Sequence, residues 1–198
     1  MMKFMEKYME KIKIEIEKYI PFNEQEEKDK KLILEILERE NDILTRNNKK
    51  YHFTVSAWIV SSDRKKVLMC YHNLYNSWAW LGGHVDGDSN LKRVILKEVK
   101  EESGITDIKF LSEDIFSLEI LTVSGHIKRG EYVSSHLHLN ATFLLEADTN
   151  LKLSIKPDEN SGLEWIDVDD ISTKSTEKWF VDNIYSKLTK KVKKYIKL

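Results

Sequence analysis

Helices toward both ends of the chain, with a run of short strands between them and one helix set among the strands, predict an α+β fold. Three patterns carry that reading. Apolar residues recur at helical spacing from Met5 to Leu44 and again from Thr176 to Val192. Runs rich in β-branched and aromatic residues, bounded by polar turns, occupy much of Tyr51 to Leu145. Within that stretch, Leu91 to Glu102 returns to a helical period. At 198 residues and 41% hydrophobic content, the chain fits one domain with extensions and can bury a proper core.

Met5, Tyr8, Ile12, Ile16 and Tyr19 mark the first helix, which Pro21 ends. Asn23, with Glu26 three residues on, resembles a capping box, and Leu32, Ile33, Ile36, Leu37, Ile43 and Leu44 continue an apolar stripe. Residues 1–47 therefore read as a helical extension and 48–198 as the main domain. The extension is expected to cover apolar surface of the domain, with a homodimer contact or one wall of a substrate pocket as its alternative role.

HFTVSAWIVSSDRKKVLMCYH reads as two strands joined by the polar turn Ser61 to Lys66, and SWAWLGGH as a third strand entering a glycine loop. Trp78 and Trp80 alternate with Ala79 and read as core. His72, Asn73, Tyr75 and Asn76 fall in a loop, where an aromatic can stack on a base and His72 can meet a phosphate. Further strands are expected near Asp107 to Leu111, Ile115 to Val123 and Tyr132 to Leu145. In the last, His136, His138 and Asn140 share one face and Leu137, Leu139 and Ala141 the other. Ordinary hydrogen bonding is the plain reading of these histidines, and contact with metal or phosphate the functional one, with His138 ahead of His136. Glu119 and Glu131 are further candidates for an extra carboxylate or base. Trp165 reads as core in a short strand, with Asp169 or Asp170 near the start of the next element. Thr176, Phe180, Ile184, Leu188 and Val192 mark a closing helix.

The helix among the strands carries the chemistry. At about 100° per residue, Glu98, Glu101 and Glu102 fall on the arc of Leu91, Val94 and Ile95, with Arg93, Lys97 and Lys100 opposite. Carboxylates on a core-facing arc repel one another and are costly to bury unless paired or bound to a cation. Oxygen donors without histidine or cysteine at matching spacing on this helix favour Mg²⁺ or Mn²⁺ over Zn²⁺. Gly82 and Gly83 are expected to form a tight turn upstream, and Asp88 or Ser89 to cap the helix.

Residues 83–105, GHVDGDSNLKRVILKEVKEESGI, resemble the Nudix box, G-x5-E-x7-R-E-U-x-E-E-x-G-U with U aliphatic, with Gly83 as its first glycine and Lys97 to Ile105 as its end. The resemblance covers roughly Tyr51 to Trp165, and YHNLYNSWAWLGGHVDGD and SSHLHLNATF are similar to a bacterial Nudix subgroup. Two positions depart from the box: Ser89 replaces its first glutamate and Lys97 its arginine. Lys97 supplies charge beside Glu98 but not a planar fork, while Asp86 and Asp88 are the neighbours able to compensate for Ser89. The resemblance implies an α/β/α sandwich around a mixed β-sheet. It further implies Mg²⁺ or Mn²⁺ held by Glu98, Glu101, Glu102 and the Gly82 carbonyl, and a small-molecule substrate, a nucleoside diphosphate linked to another group. Gly82, Gly83, His72 and His138 are the candidate substrate contacts. Two alternatives belong to the same resemblance: a nucleotide sensor that binds without cleaving, and an isopentenyl diphosphate isomerase, for which Cys70 is the available cysteine.

Composition narrows the partners. A net charge of −1, from 32 Lys+Arg and 33 Asp+Glu, gives no global attraction to nucleic acid or anionic membranes. Lys187, Lys190, Lys191, Lys193 and Lys194 suit a solvated helix C-terminus rather than an RNA-binding tail. One cysteine excludes an intramolecular disulfide and fits a reducing compartment. Cys70 itself reads as buried and inert. No apolar run approaches the ~20 residues of a membrane span, and the start lacks the apolar core of a signal peptide. A cytoplasmic protein is expected.

Overall fold

The computed structural model describes residues 2–40, 42–128 and 130–195, with side chains from residue 9 onward. Met5 and Tyr8 of the expected first stripe lie outside the described side chains. In chain order the elements are α1 (Met2–Lys18), α2 (Glu24–Arg39), β1 (Tyr51–Val60), β2 (Lys66–His72), β3 (Ser77–Ala79), β4 (Leu81–His84) and α3 (Leu91–Ser103). There follow β5 (Lys109–Phe110), β6 (Ser117–Val123), β7 (His126–Lys128), β8 (Glu131–Val133), β9 (His136–Glu146) and β10 (Asn160–Asp167). The chain closes through α4 (Ile171–Lys174), α5 (Lys178–Phe180), a π-helical turn (Val181–Tyr185) and α6 (Ser186–Tyr195). An eight-stranded sheet has the order β10-β2-β1-β9-β5, with β3 paired to β2, β4 to β1 and β6 to β9, while β7 and β8 form a separate hairpin. Among the described residues no helix is long and apolar enough to cross a membrane.

The chain divides into two compact units. The first comprises Met1–Ser56, Gly83–Ile95 and Asp114–Phe143. Here Ile12, Ile16 and Ile33 are fully buried, and α2 packs on β6. Asn23 caps α2 by accepting the Glu26 N–H at 3.0 Å. The Glu26 carboxylate does not close the box reciprocally. It accepts the Phe22 N–H at 2.7 Å, the Tyr19 hydroxyl at 2.5 Å and the Ser117 hydroxyl at 2.6 Å, which fastens the extension to β6. Asp29 accepts the Ile120 N–H at 3.0 Å and extends that seam. The helix stops at Arg39, earlier than the apolar stripe suggests, and Ile43 and Leu44 are buried in a non-helical connection. Their carbonyls accept the Phe53 and Gly87 N–H groups, each at 2.7 Å. Leu32, read as part of the stripe, is exposed.

The expected strand from Tyr132 to Leu145 is two strands. β8 pairs with β7, and β9 begins at His136; the expected alternation is absent, since His136, Leu137 and His138 are all half-buried and every residue from Leu139 to Glu146 is buried. Polar side chains on this buried stretch must find partners. Asn140 accepts the Thr54 and Ser56 hydroxyls at 3.0 and 2.9 Å and donates to Glu119 at 3.1 Å, and Thr142 donates to Glu119 at 3.0 Å.

The second unit comprises Ala57–Gly82, Leu96–Glu113 and Leu144–Leu198. The Ser61–Lys66 turn closes through Ser61 N–H to the Lys66 carbonyl at 3.0 Å, and β10 lies antiparallel to β2 with Leu68 opposite Trp165. Trp58 stacks on Tyr185 at 5.5 Å, both fully buried, with Ile184 and Leu188 beneath the closing helices. Trp78, Trp80 and Trp165 are only half-buried. The core positions are Ala79, Leu81 and Ile166, which β3, β4 and β10 turn inward. Thr176 is exposed, and the closing segment is a broken series of short helices rather than one helix. Asp170 stands at the N-cap of α4 without a side-chain cap bond. Lys187 and Lys191, expected on the solvated face, are buried at 4% and 9% exposure.

Candidate active site

Asn90 caps α3, in place of the expected Asp88 or Ser89: its side-chain oxygen accepts the Arg93 N–H at 3.1 Å and its carbonyl the Val94 N–H at 3.0 Å. Asp88 is instead held in the fork of Arg93, two bonds of 2.8 Å, and Asp86 in the fork of Arg46 at 2.8 and 2.7 Å. Both aspartates are thus paired with arginines, and Ser89 is itself buried. Gly82 and Gly83 do not turn the chain. They lie extended in β4, and the turn falls at Asp86 and Gly87, whose φ values of 45° and 90° are left-handed.

Leu91, Val94, Ile95 and Val99 anchor α3, and Glu98 and Glu102 follow them inward, at 8% and 3% exposure. Glu101 lies at the margin and is exposed. Lys97, read as lying opposite the glutamates, is the i,i+4 neighbour of Glu101, and its amine stands 3.3 Å from both Glu98 and Glu101. Glu102 Oε2 accepts the Gly82 N–H at 2.9 Å.

Two residues not foreseen complete the group. Lys156 places its amine 3.3 Å from Glu101 and 3.0 Å from Glu159. Asn160 ties the same loop to α3 by donating to the Glu102 carbonyl at 3.0 Å. Pro157 and Asp158 mark a turn in the sequence, but no local spacing connects it to residues some sixty positions earlier. His72, expected in a loop, ends β2 opposite Asn160. Its Nδ1 accepts the Leu74 N–H at 3.2 Å and its ring stacks on Tyr75 at 4.4 Å.

The electrostatics separate the three glutamates. Burial pushes Glu102 up to about 8, against the pull of the Gly82 N–H and with the aid of Glu159 and Glu98. Burial also raises Glu98, partly offset by Lys97. For Glu101 the bonds from Lys156 and Lys97 outweigh burial and hold the carboxyl low. Lys156, despite burial, is pushed up to about 12 by Glu159 and Glu101. Carboxylates this crowded gather positive charge, and the Lys97 and Lys156 amines supply it here. The all-oxygen set of Glu98, Glu101 and Glu102 fits a hard divalent cation, which would relieve the underpaired Glu102.

Elsewhere, Glu119 sits wholly inside the buried hydrogen-bond network of β6 and β9, and Glu131 is exposed opposite Lys128. His138, in the first unit, meets His52, His84 and His136 at ring-centroid distances of 4.9–5.1 Å. Burial and the neighbouring imidazoles push His84 down to about 3 and His138 to about 2. Cys70 is fully buried, its thiol donating toward the Trp80 carbonyl at 3.8 Å and pushed up by burial. A thiol so placed does not serve the nucleophilic role an isomerase would require.

An antiparallel-rich sheet with a glycine strand feeding a helix of inward-turned carboxylates defines a class of α+β hydrolases. The chain belongs to the NUDIX domain family, which matches residues 50–188. It is therefore a hydrolase acting on phosphorus-containing anhydrides. Three solved structures show the shared α/β/α sandwich fold. The MutT protein from Methanosarcina mazei Go1 is 19% identical with a TM-score of 0.57, covering 74% of this chain and 98% of its own. The Ap4A hydrolase of C. elegans, in a binary complex, is 17% identical with a TM-score of 0.52, covering 73% and 96%. The M. smegmatis Nudix hydrolase RenU is 12% identical with a TM-score of 0.52, covering 72% and 86%. No curated protein matches the sequence.

Proposed function

We propose that the protein is a divalent-cation-dependent hydrolase that cleaves the pyrophosphate bond of a nucleoside diphosphate linked to another group. The observation that carries this reading is the pair Glu98 and Glu102, buried at 8% and 3% exposure on one face of α3 with Glu101 beside them. Glu98, Glu101 and Glu102, with the Gly82 carbonyl, would hold Mg²⁺ or Mn²⁺. When bound, such an ion supplies positive charge for phosphate oxygens and makes a water more acidic.

The chain's own groups do the rest. Gly82 N–H fixes Oε2 of Glu102, which orients that carboxylate for the cation, and a glutamate of the site would accept the proton of the attacking water. Lys97 steadies Glu98 and Glu101. Lys156, paired with Glu101 and Glu159, is the nearby cation that would meet a phosphate oxygen where a metal ion took over Glu101. His72 and Tyr75, stacked on one another beside the Asn160 loop, are candidates for contact with the organic part. The products are a phosphate ester and the second phosphate-bearing half. A small soluble substrate and one buried thiol fit a cytoplasmic setting.

The test is hydrolysis of a panel comprising nucleoside triphosphates, ADP-ribose, sugar nucleotides and dinucleoside polyphosphates, the last because one structural neighbour is an Ap4A hydrolase. Mg²⁺-dependent cleavage of at least one member is expected, with Glu98→Gln losing roughly 10²-fold or more of the turnover while staying folded. Equal rates for the two proteins would refute the assignment.

A further inference from the structure

Four of the chain's six histidines, His52, His84, His136 and His138, converge within the first unit although the sequence spreads them from β1 to β9. His52, His84 and His138 can each offer one ring nitrogen such that the three atoms lie within 4.8 Å of one another. We propose that His52, His84 and His138 form a binding site for a Zn²⁺-class transition-metal ion, separate in its chemistry from the glutamate group of α3.

A hydrogen bond sets the tautomer of His52. His52 Nδ1 stands 3.1 Å from the Asn48 carbonyl, which can only accept, so Nδ1 carries the proton and Nε2 the lone pair. That Nε2 is buried and has no hydrogen-bond partner, and the residue is only 4% exposed. An orphaned buried acceptor is costly and calls for an occupant. His136 is held in the same manner, Nδ1 to the Ser134 carbonyl at 2.8 Å, which turns its Nε2 lone pair toward His138 Nε2 at 3.2 Å. Carbonyl anchoring of one ring nitrogen is the usual way a metal-ligating histidine is oriented and its tautomer set. His136 acts here as a positioning residue for His138.

The dimensions suit the ion. With Zn–N bonds of about 2.0–2.1 Å, two nitrogens of a tetrahedral site stand roughly 3.3 Å apart. The widest spacing in the trio, 4.8 Å, exceeds this, so binding draws the rings inward. Uncharged imidazoles select zinc, cobalt, nickel or copper and not the hard ions that carboxylates take. His136 also lines an open pocket of about 470 Å³ together with Lys49, Ser124 and Ser135.

The full chain, stripped with chelator and dialysed, is titrated with Zn²⁺ against a chromophoric competitor. The same protein loaded with Co²⁺ is read by visible absorption and by X-ray absorption at the metal edge. Uptake of about one Zn²⁺ per chain is expected, with imidazole nitrogens bound directly to the metal. Affinity should fall by at least about 100-fold in His84→Asn and His138→Asn, since loss of a ligand costs no less than loss of its support. The variant Glu98→Gln/Glu101→Gln/Glu102→Gln should bind Zn²⁺ as the parent does, which separates this site from the one proposed above. Absence of zinc uptake by the parent, or undiminished uptake by both folded histidine variants, overturns the proposal. Should those variants not fold, the parent's absorption spectrum decides: oxygen-only coordination overturns it and histidine nitrogen scattering sustains it.

Discussion

Glu102 carries a stability cost that only a cation or a proton removes. Without metal, its folded-state pKa of about 8 exceeds the ordinary 4.5, so the folded protein keeps a proton that the unfolded chain releases. Stability therefore falls as pH rises through that window, by up to roughly 4 kcal/mol in all. His84 and His138 work in the opposite sense at lower pH, because the unfolded chain takes up protons below about 6.5 while the buried rings stay neutral to about 3 and about 2. Urea unfolding in EDTA should accordingly show a decline from about pH 6.5 to about 8.5 that Glu102→Gln flattens, and a parallel decline in both proteins would contradict it. Lys156 competes with the ion for Glu101. Lys156→Met should strengthen Mg²⁺ binding by a few-fold, as loss of a part-exposed pair worth about 1 kcal/mol or less implies, while slowing turnover; calorimetry and rate assays read the two effects separately. Cys70, buried and raised, should resist thiol reagents at about pH 8 in the native protein and react at once after denaturation.

At the scale of elements, the sequence makes periodicity visible and leaves partnership hidden. The α3 arc of Leu91, Val94 and Ile95 leading to Glu98 and Glu102 is legible because a helix repeats every 3.6 residues, and both glutamates are buried where the arc places them. The same reading puts Glu101 equally inward, whereas it is exposed at the margin, and Lys97 on the opposite side, whereas as the i,i+4 neighbour of Glu101 it pairs with it. Lys156 and Glu159 are invisible to it, as are His52 and His84 beside His138, since each joins its group only through strand pairing across tens of residues. The end of α2 is overrun because Ile43 and Leu44 are as apolar as helix residues yet lie in a non-helical connection whose carbonyls bond to Phe53 and Gly87. Ile33, fully buried on α2, should lose about 3 kcal/mol on replacement by alanine. Thermal unfolding would check this, and an unchanged midpoint would show that α2 is dispensable to the first unit.

For the molecule as a whole, the proposal comes down to one claim: carboxylates of α3 are kept close to the interior to hold a hard divalent ion for phosphoanhydride cleavage. The fold and reaction class are recoverable from the box-like segment, whereas the substrate depends on loops whose placement no local pattern encodes. The most direct measurement is calorimetric titration of the metal-free chain with Mg²⁺, beside the variant in which Glu98, Glu101 and Glu102 are all glutamine. The account predicts saturable uptake by the parent and none by the variant; equal uptake by both, or no uptake by the parent, would contradict it.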